Sequence, residues 1–176
     1  MGKTLIRIGI DPDLKASGFC VLVKQPFGTW QIQVIDTIPF FTLIEQIEAE
    51  YTASKAPGND LTVCIEAGWL NKSIHHFAEN KAIAGRIGKN VGHNEAIGKL
   101  IAEYCEINDI NHKLIKPVSS KWNAELFRKI TGWEKSTDDS RIIQLQLLKS
   151  SKQTTMLFTI ASKSVKMRHW NCTNRH

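Results

Sequence analysis

Two acidic residues stand where an extended apolar segment stops. Ile6-Arg7-Ile8-Gly9-Ile10 has the β-branched pattern of a strand and ends at Asp11-Pro12, while the largely apolar Leu61-Thr62-Val63-Cys64-Ile65 ends at Glu66. In mixed α/β sheets, ligands bind in the crevice outside the strand ends, near a switch of strand order. If the two strands are neighbours, both carboxylates project into one such crevice. Carboxylates without His or Cys companions suit a hard, oxygen-preferring ion, Mg²⁺ or Mn²⁺, over zinc. The chemistry that needs them is phosphodiester hydrolysis. One ion activates the attacking water and a second, ~4 Å away, stabilises the leaving oxygen. The plainer alternative is that Asp11 caps a turn beside Pro12 and Glu66 is an exposed strand-end charge.

Ser136-Thr137-Asp138-Asp139 opens a further helical segment. Asp138 or Asp139 can supply another ligand, or both can serve as an N-cap and a first-turn charge favoured by the helix dipole. Trp69, three residues beyond Glu66, can stack on an unpaired base, a contact worth ~1–3 kcal/mol, or pack beneath a helix. Lys72, Lys81, Arg86, Lys89, Lys116 and Lys121 surround the expected cleft and can hold phosphates, with Lys116 and Lys121 the preferred pair; charged helix faces are otherwise simply solvated. Gly85-Arg86-Ile87-Gly88-Lys89-Asn90 superficially suggests a phosphate loop, but it lacks the Gly-Lys-Ser/Thr ending and a preceding strand. His75 and His76 are adjacent, so a helix would point them to different sides.

The elements that must position these groups follow from the apolar pattern. After the first strand, turns at 13–18 and 25–28 separate Phe19–Val23 from Trp30–Ile35, and short turns between consecutive strands predict an antiparallel meander. Thr42-Leu43-Ile44-Glu45 has a capping-box pattern, and Phe41, Ile44, Ile47 and Tyr51 recur at helical spacing. Pro57-Gly58-Asn59-Asp60 ends that helix and introduces the strand that closes at Glu66, whose apolar run predicts burial on both faces. Ser73 to about Asn108 is helical, predicted as two pieces joined at Gly85, Gly88 and Gly92. A short strand, His112–Lys116, ends at Pro117. A helix runs from Ser119/Ser120 through Trp122, Leu126, Phe127 and Ile130, and a last one starts at Thr137. The order β-β-β-α-β-α-β-α predicts a mixed five-stranded sheet, three antiparallel strands then two parallel, flanked by helices.

A length of 176 residues fits one domain with a sizeable core. No apolar run is long enough to span a bilayer, and the N-terminus has no signal-peptide core, so no membrane role is expected. Cys20, Cys64, Cys105 and Cys172 are scattered without a C-x-x-C pair, which argues against structural zinc and for reduced thiols in the cytoplasm. The net charge of +6 is unevenly spread. Seven of the 23 basic residues lie beyond Asp139, the last acidic residue, leaving 16 basic against 17 acidic in residues 1–139, a net of −1. The tail, and not the main domain, carries the nucleic-acid charge signal.

Ile8-Gly9-Ile10-Asp11-Pro12 with Ser17-Gly18-Phe19 resembles the first strand and hairpin of RuvC-type Holliday junction resolvases, of the ribonuclease H-like superfamily. Val63-Cys64-Ile65-Glu66, then Trp69 and a long Gly-interrupted helix, resembles their fourth strand and the aromatic and helix beyond it. The resemblance covers residues 4–139. It implies a ribonuclease H-like fold and a Mg²⁺- or Mn²⁺-dependent endonuclease, holding two ions, that cuts branched DNA as a homodimer. It makes Asp11 and Glu66 metal ligands, with Asp138 or Asp139 completing the site, and favours a DNA contact for Trp69. It also places two acids one turn apart on the final helix, where i and i+3 or i+4 share a face. Here Arg141, Ile142 and Ile143 occupy the later positions, which is a departure.

Residues 140–176 contain no Asp or Glu and have weak helical periodicity. Two readings stand: a basic DNA-binding tail, or a shift of reading frame near Arg141, since one alternative frame across Val165–Cys172 permits an Asp or Asn and a Leu-Glu-Leu string. The sequence thus divides into a nuclease-like domain, 1–139, and a segment of open character, 140–176. A catalytically impaired DNA-binding protein and a ribonuclease H acting on RNA–DNA hybrids are the alternatives. An actin-like ATPase would need a duplicated domain, for which the chain is too short.

Overall fold

A computed structural model describes residues 2–71 and 81–117, with residues 125 and 129 as isolated positions beyond. Within residues 2–71 and 81–117, five strands and two helices run in the order β1 (Thr4–Asp11), β2 (Ser17–Lys24), β3 (Trp30–Ile38), α1 (Phe40–Ser54), β4 (Asn59–Glu66), α2 (Lys81–Ile107) and β5 (His112–Ile115). A short 3₁₀ turn, Gly68–Leu70, comes after β4. The expected helices after Pro117 and the tail lie outside the described residues, as do Lys72, Lys121, Asp138 and Asp139. Among the described residues, no helix is long and apolar enough to cross a membrane.

The sheet order is β3-β2-β1-β4-β5. β1 pairs antiparallel with β2 and parallel with β4, and β4 pairs parallel with β5. This is the expected ribonuclease H-like arrangement: a three-stranded meander continued by two parallel strands that return through helical crossovers. β1 is the hinge of that order, with an antiparallel neighbour on one side and a parallel one on the other.

Alternation along the strands divides the side chains between two faces. Ile6, Ile8 and Ile10 of β1 stand in register with Leu61, Val63 and Ile65 of β4, and the last two of the β1 set with Val21 and Phe19 of β2. These residues form one buried cluster with Leu43 and Ile47 of α1 and Ile101, Ala102 and Cys105 of α2. Each such large side chain, fully buried, contributes ~1.5–3 kcal/mol. The opposite face is covered as well, because Cys20, Leu22, Thr62 and Cys64 are buried. The predicted two-sided burial of β4 is therefore observed.

Two local expectations are corrected. The Thr42-x-x-Glu45 box does not start α1. The helix begins at Phe40, with Pro39 in extended backbone ahead of it and its carbonyl accepting from the Leu43 amide at 2.9 Å. Proline at that point has no N–H to leave unsatisfied and a φ suited to the entry. Nor is there a joint at Gly85, Gly88 and Gly92, because α2 runs unbroken through all three. Each glycine weakens a helix by ~1 kcal/mol without breaking it, and the packed C-terminal half anchors the rest. The helix ends at Ile107, and two residues on comes Asp109, the one described non-glycine residue with positive φ (55°). There the Ile110 amide donates back to the Cys105 carbonyl at 2.8 Å and Ile110 enters the core.

Candidate active site

Asp11 and Glu66 are the last residues of β1 and β4. The parallel register of the two strands runs as far as Ile10 with Ile65, so the carboxylates come next on adjacent parallel strands, whose axes lie ~4.8 Å apart. Alternation places them on the same side, away from the Ile8–Val63 core face. Both line one open cavity of about 300 Å³ with Pro12, Gly68, Trp69, Asn71, Val91, Asn94, Glu95 and Pro117. The condition set by the sequence, that the two acids stand on neighbouring strands, is met.

Among the described residues, three segments wall the cavity. The 3₁₀ turn after β4 brings Gly68 and Trp69 to one wall, and Pro117 lies just past β5. The third wall is the middle of α2, where Val91, Asn94 and Glu95 recur at one-turn spacing on a single face. Asn94 ties that wall to the turn after Asp11: its Oδ1 accepts from the Leu14 amide at 3.3 Å and its Nδ2 donates to Asp13 Oδ2 at 3.3 Å. The turn is braced internally as well. The Asp13 amide donates to Ser17 Oγ at 3.1 Å, and the Lys15 amide to Asp13 Oδ1 at 2.9 Å. Glu95 is engaged by Lys99 at 2.6 Å, a largely exposed pair that holds geometry more than it adds stability.

Among the described residues, the side chains lining the cavity offer carboxylates and amides, and none is His or Cys. That donor set fits Mg²⁺ or Mn²⁺, which takes one or two protein carboxylates and completes its shell with waters and substrate phosphate. Among the described residues, no group of three or more His, Cys, Asp or Glu side chains is placed to hold a metal. The third expected ligand, Asp138 or Asp139, lies outside those residues.

Of the other predicted contacts, Trp69 is half-buried beside the carboxylates, with the Lys99 ammonium 5.8 Å from its ring centre. Lys116 is exposed next to Pro117, at the rim. Arg86 and Lys89 are exposed on α2 and do not line the cavity. Asn94 and Glu95 are cavity residues that the sequence does not single out. Their spacing from Val91 is the available signal, but polar residues on a helix ordinarily face solvent.

No family model matches the sequence, and no curated protein does. Two solved structures of Thermus thermophilus RuvC are similar. One, in complex with a Holliday junction substrate, is 14% identical, covering 82% of this chain and 94% of that one with a TM-score of 0.43. The second is 12% identical, covering 82% and 95%, with a TM-score of 0.45. The fold assignment rests on strand order and pairing, not on these overlaps.

Proposed function

We propose that this chain is a metal-dependent endonuclease that hydrolyses phosphodiester bonds in branched DNA, in the manner of a Holliday junction resolvase. The observation that carries the reading is the meeting of Asp11 and Glu66, from adjacent parallel strand ends, in one open cavity of oxygen donors. The resemblance of the strand-one hairpin and strand-four motifs supplies the substrate class.

In this reading Asp11 and Glu66 hold Mg²⁺ or Mn²⁺, with Asp138 or Asp139 as a further ligand. The metal supplies charge neutralisation at the scissile phosphate and a more acidic water. The carboxylates fix where that charge sits, one strand spacing apart and on one side of the sheet. Asn94 and the braced Asp13–Ser17 turn keep Asp11 from drifting. Trp69 flanks the cavity where a base beside the phosphate would lie. Arg86, Lys89 and Lys116, with Lys72 and Lys121, hold the backbone through phosphate contacts that position without reading sequence. Water attacks phosphorus directly and one sugar–phosphate ester bond breaks, so no covalent enzyme intermediate forms. Two symmetric cuts require two copies, and the long α2 is the proposed place for a homodimer to form.

A second reading has a specific observation behind it. No acidic residue comes after Asp139, so a chain that binds junctions without cutting them is the competing outcome. Cleavage of a labelled four-way junction in ~10 mM Mg²⁺, a range in which weak carboxylate sites fill, decides between them. Symmetric nicks that fall more than ~100-fold in Asp11→Asn, beyond the ~10–100-fold typical of groups that merely support a ligand, establish the nuclease. Equal binding by both proteins with no cleavage by either overturns it.

A further inference from the structure

The indole of Trp69 is seated in α2. A methyl group placed on Gly98 would lie 2.7 Å from Cζ3 and 2.8 Å from Cη2 of Trp69, and 3.1 Å from Cγ of Pro12. Carbon atoms in favourable contact stand ~3.5–4.0 Å apart, and the atoms it would meet belong to two rigid rings that cannot bend aside. One of those rings comes directly after Asp11. Gly98 is buried, whereas a methyl on Gly85, Gly88 or Gly92 of the same helix would meet nothing within 4 Å among the described residues. Its backbone does not call for glycine either, because Gly58 is the described glycine with positive φ. One turn earlier on the same helix face, Asn94 holds Asp13 and Leu14, and the next residue, Lys99, sets its ammonium over the indole.

We infer that Gly98 is a positioning residue. By leaving the space that the indole edge fills, it fixes Trp69 as a rigid wall of the Asp11–Glu66 cavity. The aromatic ring then meets its ligand in one set orientation, without swinging in from a flexible loop. The consequence for DNA rests on the nuclease reading; the seating of the ring does not.

The test compares Gly98→Ala with Gly88→Ala in the full chain, each with and without Trp69→Ala. Acrylamide quenching of Trp69, taken as the difference between each protein and its Trp69→Ala counterpart, reads the seat without any cleavage assay. Alanine is the better helix former, so Gly88→Ala raises Tm by ~2–4 °C and leaves the quenching unchanged. Gly98→Ala increases the quenching and lowers Tm, and most of that Tm loss disappears in the Trp69→Ala background. Junction affinity weakens about tenfold in Gly98→Ala, the equivalent of one lost base–aromatic stack, and no further when Trp69→Ala is added. Unchanged quenching, or a Tm gain matching Gly88→Ala, overturns the inference. So does a Tm loss that persists undiminished without the indole, or a Gly98→Ala chain that fails to fold even in the Trp69→Ala background. A wild-type protein that neither binds nor cuts junctions, yet shows the quenching and Tm pattern, removes the nuclease reading and leaves the seat standing.

Discussion

The positions of Asp11 and Glu66 are set by the backbone pairing of β1 with β4. Exchanging either carboxylate for its amide therefore removes charge while keeping shape. In the nuclease reading, Glu66→Gln should abolish junction cleavage and leave urea unfolding within ~0.5 kcal/mol of the wild type. The thiols offer a separate test. Burial, with Glu106 nearby, pushes Cys105 from an ordinary value near 9 up to about 12, and burial drives Cys20 further in the same direction. In the unfolded chain the thiol loses its proton first as pH rises, so the folded state binds more protons across that window. Stability is then fully present below pH 9 and falls from there towards pH 12, with one such group contributing a slope of up to ~1.4 kcal/mol per pH unit. Urea unfolding at pH 8 and pH 10 should show a smaller loss in Cys105→Ala than in the wild type. The two acids could be read from the sequence because a strand end leaves a local mark, an apolar run cut off by a charge. Asn94, Glu95 and Gly98 left no such mark. Their roles depend on which face of α2 meets the β1–β2 turn, and that is decided by packing between distant segments.

Strands were more legible than helix ends for the same reason. The β-branched run of β1, the alternation in β3 and the apolar run of β4 are imposed by the sheet itself, and with the short turns between the first strands they anticipated three antiparallel strands followed by two parallel ones. The Thr42 box misled because a capping motif competes with its surroundings, and the cap position is Pro39, three residues earlier. In α2, a cluster of glycines looked like a break. They lower helix propensity, but a helix tied down by Ile101, Ala102 and Cys105 can carry that cost through its exposed half. Removing it is therefore stabilising: Gly85→Ala and Gly92→Ala should each add ~0.5–1 kcal/mol, measured by chemical denaturation, because no described residue stands within 4 Å of either added methyl.

Across the whole molecule, the basic charge and the Asp11–Glu66 cavity are separated along the chain. Residues 1–139 are nearly neutral, and the basic excess lies beyond Asp139. In the nuclease reading, replacing Lys163, Lys166 and Arg168 by glutamine should weaken junction binding and flatten its salt dependence by ~0.9 log units per log unit of salt for each lost phosphate contact, read by binding titrations at several salt concentrations. The rate of the cleavage step itself should be little changed. The parallel pairing of β1 with β4 has one more consequence, for the life of the chain before it is finished. The β1–β2 hairpin can form as soon as its own residues are available. The cavity cannot, because its second acid arrives 55 residues after the first and must close a long loop to reach it. A nascent chain emerging from the ribosome therefore exposes Asp11 in a structure that cannot assemble the pair. In the nuclease reading, such a chain leaves nucleic acid uncut at least until α1 and β4 have been made and docked, a latency that comes from strand order and requires no inhibitor.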